Sequence, residues 1–274
     1  MYRLKHGSLF SGIGGFDLAA EWAGLDNIFQ VEKDKYCQKV LKKNFPKSQL
    51  YGEIKEFNAK KFKESIDVIS GGFPCQPFSH AGKKRGNADD RYLWDEMFRI
   101  ISECKPEWVV AENVYGLISI GDGMVLEKVL TDLESEKFEV QTFIIPACSK
   151  NAPHRRDRTW IVANSKSNGD RLNKKRQRMS RDEYSGPRWK RMGYKSKKRS
   201  QTVAELSWEE EWIDNASRLC GTGDGLSNRL DKNKAIKGLG NAIVPQIAYE
   251  IFMSINSSAI HTQKPISKTH VSTV

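Results

Sequence analysis

The sequence predicts an α/β protein with a mostly parallel, doubly wound sheet, carrying a second, small basic region towards its carboxyl end. Three observations lead there. Short β-like runs alternate with helix-like ones through the first 164 residues, which is the signature of βαβ units. The first β-like run breaks into glycines and then opens a helix, an arrangement that brings backbone close to a ligand. After residue 164 the aliphatic content drops and Lys and Arg crowd together, so the sheet pattern is interrupted. With 274 residues, 38% of them hydrophobic and seven of them Trp, the chain can build one sizeable core and is too rich in core formers to be disordered throughout.

The elements follow in order. Strands are expected at residues 6–10, 27–32, 66–70, 108–111, 138–145 and 159–163, and helices near 15–23, 35–44, 91–104 and 124–135. In the third helix Leu93, Met97, Ile100 and Ile101 recur at helical spacing, which gives it one buried face. Residues 235–253 read as a glycine-broken loop running into an apolar helix from Pro245. From about residue 257 the chain is small and polar and reads as a flexible tail. The expected organisation is a main domain over 1–164, a small basic region over 165–227, a return segment over 228–256 that completes the main domain, and the tail over 257–274.

Charge narrows the partners. Lys and Arg number 45 against 34 acidic residues, a formal net charge of +11, which favours a polyanionic partner. Between Ser165 and Gln201 stand fourteen Lys and Arg against three acidic residues, so this one stretch holds the entire excess. Its Tyr184, Trp189 and Tyr194 are interleaved with basic side chains, as suits a surface that meets phosphates and bases; a solvated insertion would look similar. The five cysteines are odd in number and lack any CxxC or zinc-type spacing, so neither a disulfide framework nor a metal site is expected, and a reducing compartment fits. The amino-terminal residues break into Ser and Gly before a signal-length apolar stretch, and no run approaches a membrane span. The expectation is a soluble cytoplasmic protein.

Five motifs carry chemistry. The first is LFSGIGGF, residues 9–16, where Gly12, Gly14 and Gly15 end a strand and open a helix. Asp17 stands where a dinucleotide-binding GxGxxG motif wants its third glycine, so the loop suits a nucleoside cofactor or an ordinary strand-to-helix turn. Glu32, 18 residues after Gly14 at the end of the second strand, is placed to accept hydrogen bonds from two ribose hydroxyls; a solvated strand-end charge beside Lys33 and Asp34 is the plainer alternative. The second motif is GGFPCQPFS, residues 71–79. Pro74 and Pro77 stiffen the loop around Cys75 at the carboxyl end of a strand, where open α/β sheets bind ligands. A nucleophile needs such presentation, with surroundings that favour thiolate. Cys37, Cys104, Cys148 and Cys220 have no such setting and read as ordinary buried thiols. Third, Glu112-Asn113-Val114 ends an apolar strand and offers a carboxylate as an acid or a hydrogen-bond partner for a ring nitrogen. Fourth, PHRRDRTWIVA, residues 153–163, places Arg156 and Arg158 on one face if the strand is regular, suited to phosphate or a carbonyl oxygen. Last, GLGNAIVPQ, residues 238–246, is a glycine-rich loop before the final helix.

In this order the five motifs resemble the cytosine-5 DNA methyltransferase family, over residues 4–163 and 228–253. The resemblance implies a Rossmann-like methyltransferase domain with a small variable target-recognition domain, S-adenosylmethionine as cofactor and duplex DNA as partner. It implies that Phe10, Ile13 and Gly15, with Ser11, Gly12 and Gly14 of the same loop, surround the methionine and adenine. Glu32 would lie at the ribose and Glu53 and Ile54 at the adenine, and Lys33, Gly72, Pro74, Leu93, Asn241 and Ala242 would complete the pocket. Cys75 would be the nucleophile that adds to cytosine carbon 6, Glu112 the group at ring nitrogen 3, Arg158 the holder of the base carbonyl oxygen and Arg156 a support for the loop. Ser79, Lys174, Lys175, Arg176, Trp189 and Arg191 would meet DNA. A monomer, associated with the nucleoid when DNA-bound, would fit these parts, with or without a separately acting restriction endonuclease. Two positions depart from the family pattern. Glu53 stands where the family usually has Asp, so the adenine contact must tolerate a further methylene, and His154 stands where it usually has Gln.

Three other readings compete. A cytosine-5 tRNA methyltransferase would use the same catalytic parts. A catalytically inactive DNA-binding relative would not need Cys75, Glu112 and the arginine pair together. An NAD-dependent oxidoreductase is disfavoured by Asp17 and by the PCQP loop, which it would not use.

Overall fold

A computed structural model describes residues 3–75, 93–150, 155–165, 238 and 240–261. Alternating apolar runs become seven strands: β1 (Lys5–Leu9), β2 (Asp26–Val31), β3 (Gln49–Tyr51), β4 (Val68–Gly71), β5 (Trp108–Val114), β6 (Phe138–Pro146) and β7 (Asp157–Ser165). Between and after them lie α1 (Gly15–Trp22), α2 (Lys35–Asn44), α3 (Trp94–Cys104), α4 (Met124–Ser135) and α5 (Pro245–His261). The sheet order is β3-β2-β1-β4-β5-β7-β6, with β7 antiparallel to both neighbours and the other pairs parallel. This is the doubly wound architecture expected. The order reverses between β1 and β4, and at such a switch point the carboxyl ends of the strands diverge and leave a crevice.

Each face of the sheet is covered for a reason visible in the residues. On one side Leu9, Phe29, Val31, Ile69, Val109, Ala111 and Ile161 pack against α3 and α4 through Trp94, Met97, Ile100, Val129 and Leu133. Burying a side chain of this size contributes about 1.5–3 kcal/mol, so α3, with Trp94, Met97 and Ile100 all wholly enclosed, is firmly anchored. On the other side Val68, Val110 and Trp160 meet Phe16, Ala19 and Ala20 of α1 and Ile247, Ala248 and Phe252 of α5. Helix α5 is thus bound to the first helix of the chain: Phe16 and Phe252 lie 6.3 Å apart, Trp22 meets Tyr249 edge-on at 6.3 Å, and Asn256 donates to the Ala23 carbonyl at 3.2 Å.

A polar seam runs under α1 within this second layer. His6 Nδ1 lies 2.7 Å from Asn27 Oδ1 and its Nε2 2.7 Å from Ser70 Oγ, while Asn27 Nδ2 donates to the Asp17 carbonyl at 2.9 Å. The Asp17 carboxyl lies over Gln30 and Ser8, and all of these side chains are buried or nearly so. Burial pushes Asp17 up to about 7 and draws His6 down to about 4.

Several expectations are corrected in detail. Strand β3 was not expected, since three residues are too few to show a period. Strand β5 runs on to Val114, so Glu112 and Asn113 lie inside a strand rather than beyond its end. The third helix begins at Trp94, with residues 91 and 92 outside the described set. Helix α5 continues to His261, past residue 257 where a tail was expected. The basic stretch 166–237 lies outside the described residues. Among the described residues no helix is long and apolar enough to cross a membrane.

Candidate active site

The site is assembled at the carboxyl ends of β1, β2, β4 and β5. After Leu9 the chain turns sharply: Phe10, Gly12 and Gly14 have φ values of 51°, 55° and 92°, and positive φ is what glycine adopts at least cost. Gly14 is the cap residue of α1 and brings no side chain to the helix amides, which leaves them for an acceptor at the positive end of the helix dipole. A Cβ built on Gly12 meets nothing within 4 Å, whereas one on Gly14 would fall 2.4 Å from the Phe45 ring and one on Gly15 2.7 Å from Ile243. The loop therefore faces open space on one side and is packed against the chain on the other. Ser11 fixes its base, donating from its amide to the Val31 carbonyl at 3.1 Å and from its hydroxyl to the Ser8 carbonyl at 3.2 Å.

Glu32 reaches across from the end of β2. Its carboxylate accepts from the Gly12 amide at 2.7 Å and from the Asp34 amide at 2.7 Å. Burial raises its pKa, against the pull of those amides. Beyond β3, Glu53 pairs with Lys33 at 3.0 Å and stays readily ionised, and Ile54 is buried at the start of a short turn. These residues form one rim with the glycine loop, joined by the Gly12–Glu32 hydrogen bond and the Lys33–Glu53 ion pair. An open loop, undirected helix amides and a carboxylate at the next strand end are the donor set a nucleoside cofactor requires.

The reactive centre lies beside this rim. Asn113 organises it: Nδ2 donates to the Phe73 carbonyl at 2.9 Å, and Oδ1 accepts from the Cys75 thiol and, at 2.9 Å, from the Val114 amide. Phe73 in turn packs on Trp94 with ring centroids 5.0 Å apart, and the Leu93 amide donates to the Pro74 carbonyl at 3.3 Å. The loop carrying Cys75 is thus held from β5 and from α3 as well as by its proline. Sequence reasoning placed Asn113 in a motif without giving it a role; its position between Glu112 and Val114 was the only signal. The surroundings do not favour thiolate as expected. Burial pushes the Cys75 thiol up, the hydrogen bond with Asn113 opposes the shift and the nearby Glu112 charge adds to it, with burial prevailing, so the resting group is a thiol.

Glu112 is almost enclosed, and burial raises its pKa while Arg158 and Arg156 oppose the shift. Arg158 Nε meets its Oε1 at 3.0 Å, while Nη1 donates to the Asp157 carbonyl at 2.8 Å. The Arg158 Nη2 has no hydrogen bond among the described residues. The arginine pair does not lie on one strand face as a regular strand would place it. Strand β7 starts only at Asp157, and Arg156 precedes it with φ of 39°. From there its Nη2 donates to the Gly240 and Ala242 carbonyls at 2.8 Å each, on either side of Asn241. Arg156 therefore clasps the return segment to the start of β7, beside Arg158 and Glu112. The same segment touches the loop from the other side, since a Cβ on Gly238 would lie 3.1 Å from Ile13. Arg155 is exposed and pairs with Asp157. Ser79, His154, Lys174, Lys175, Arg176, Trp189 and Arg191 lie outside the described residues.

Residues 4–219 match the sequence profile of the C-5 cytosine-specific DNA methylase family. The chain is 38% identical over 160 residues to Type II methyltransferase M.Eco47II of Escherichia coli, covering 57% of this chain and 38% of that protein. It is similar to the crystal structure of a prophage-encoded DNA modification methyltransferase of Escherichia coli, with 31% identity, a TM-score of 0.52, and coverage of 60% of this chain and 47% of the other. Its fold is also that of S. pombe Dnmt2 methyltransferase, with a TM-score of 0.62 over 93% of this chain and 99% of the other at 17% identity. The chain spans about half or less of the length of the curated relative and of the prophage enzyme.

Proposed function

Because this chain belongs to the C-5 cytosine-specific DNA methylase family, we propose that it methylates carbon 5 of a cytosine flipped out of duplex DNA, through a covalent adduct with Cys75. One observation carries this reading: the Cys75 thiol, the Glu112 carboxyl and the Arg158 guanidinium converge beside an open glycine loop at the switch point of the sheet. Members of the family use S-adenosylmethionine, which when bound supplies an electrophilic methyl group on its sulfonium. Here the loop Phe10–Gly15 and the amides of α1 would hold it, with Glu32 at the ribose and Glu53 and Ile54 at the adenine.

Carbon 5 of cytosine is too weak a nucleophile to be methylated unaided. Cys75 gives up its proton as Sγ adds to carbon 6, which raises electron density at carbon 5. Negative charge develops towards ring nitrogen 3, where Glu112, kept able to hold a proton by burial, donates it. Arg158 has Nη2 left for the base carbonyl oxygen. Once carbon 5 carries its methyl group, ring nitrogen 3 returns its proton to Glu112, carbon 5 loses its own proton to solvent, and the electrons of that bond re-form the ring double bond as Cys75 leaves as thiolate. Such chemistry requires a base outside the stack. The basic stretch 166–199 is the proposed source of phosphate attraction, since it holds the whole charge excess.

The test is to incubate the protein with methyl-labelled S-adenosylmethionine and either duplex DNA or tRNA, then map modified cytosines. Label at carbon 5 of DNA cytosines, abolished by Cys75→Ser, is the expected result. Label confined to tRNA would overturn the substrate, and label surviving in the Ser variant at the wild-type rate would overturn the nucleophile.

A further inference from the structure

Arg99 lies in the middle of α3, outside every motif that points to the site. Its guanidinium nevertheless reaches the rim. Nη2 donates to the Ile54 carbonyl at 3.0 Å and Nη1 to the Phe57 carbonyl at 3.2 Å. On its other side Nε meets Glu96 at 2.9 Å and Nη1 meets Glu103 at 3.1 Å, and Glu103 in turn accepts from the Ala59 amide at 3.1 Å.

The three-residue turn it grips, Ile54–Glu56, follows β3 and has no side-chain cap. The turn is also anchored by the Ile54 side chain, buried in the core, by the Phe57 ring, packed 5.0 Å from Phe29 and 4.7 Å from Tyr51, and by the Lys33–Glu53 ion pair. Lys33 is mostly exposed, and exposed pairs fix position weakly. Those contacts hold the turn through its apolar side chains and one exposed ion pair. The planar fork of Arg99, bonded to both ends of the turn and braced by two carboxylates, adds a directional hold on the turn's backbone itself.

We propose that Arg99 is a positioning residue for purine recognition, setting the height of the turn from which Glu53 and Ile54 address the ring. This rests on the cofactor reading given above. An ionised Glu53 can only accept hydrogen bonds, so a correctly placed turn should welcome the 6-amino group of adenine and repel the 6-oxygen of hypoxanthine. Misplacing the turn should erode that preference while leaving the methionine end of the site untouched.

The experiment measures affinity of the full chain for S-adenosylhomocysteine and for its inosine counterpart, in wild type, Arg99→Ala and Arg99→Lys. Lys keeps the charge beside Glu96 and Glu103 but lacks the rigid planar fork that spans the two carbonyls, and it carries the test if the Ala variant does not fold. The expected result is about a tenfold loss for the adenosine ligand, the scale of one strong hydrogen bond, with the inosine ligand changed by less than about twofold. A general loss of folded protein would weaken both ligands equally, and that outcome, or no change in either, overturns the proposal. Wild type failing to bind either ligand would instead overturn the cofactor reading itself.

Discussion

Cys75 and Glu112 both rest protonated more readily than free side chains do, because both are taken out of water. Their roles then run in opposite senses with pH, since the thiol must lose its proton and the carboxyl must keep one. Below the pKa of Glu112 the reactive fraction grows with pH as thiolate forms. Above it, each gain in thiolate is matched by a loss of protonated Glu112, so the wild-type rate is expected to level off until the thiol itself titrates. Replacing Glu112 by Gln removes the titrating acid. The variant rate should fall by about 10²–10⁴, the usual contribution of a positioned acid, and should go on rising through the range where wild type is flat. Single-turnover rates from pH 5 to 9.5 check this, and a Gln variant that plateaus like wild type would remove Glu112 from proton transfer.

At the scale of elements, the glycine loop is held in shape by contact as much as by conformation. Gly14 combines φ of 92° with a Cβ position 2.4 Å from Phe45 of the α2 end, so Gly14→Ala must both strain the backbone and displace a buried ring. We expect a stability loss of about 1–3 kcal/mol and a cofactor affinity lowered at least about tenfold. Calorimetry showing unaltered affinity would mean that the loop does not touch cofactor. The loop, its strand and its helix were legible from residues 9–16 because glycine and alternation leave local marks. So were Glu32 and Cys75, each at a strand end. Arg99 and Asn113 were not, because their partners lie about 40 residues away in sequence and no local pattern records which carbonyl a side chain will find. Arg156 was misplaced for a related reason: two arginines at alternate positions suggest a shared face only if the strand has already begun, and β7 begins one residue later.

For the molecule as a whole, the polar seam beneath α1 links stability to pH through two buried groups with opposite signs. Asp17 titrates at about 7 in the fold against an ordinary 3.8, so the stability of its neutral form is complete below 3.8 and lost as pH rises to 7. His6 titrates at about 4 against 6.5, so its contribution is complete above 6.5 and lost as pH falls to 4. Between pH 4 and 6.5 the two slopes nearly cancel. Asp17→Asn should expose the His6 slope alone, and from pH 5 to 7 it should gain about 2–3 kcal/mol relative to wild type, or about 5–10 °C in melting temperature. Parallel melting curves for the two proteins across that range would show that Asp17 does not titrate there. The helix that carries Asp17 has a second dependence, on time. Its apolar face is closed by Phe252 and Ile247 of α5, which leave the ribosome some 230 residues after Phe16. At roughly 5–20 residues per second a nascent chain spends on the order of ten seconds or more with Phe16, Ala19 and Ala20 uncovered. The glycine loop lies between Phe45 and Ile243, so its packing is completed only after the segment that carries Ile243 has been made, more than 200 residues after the loop itself.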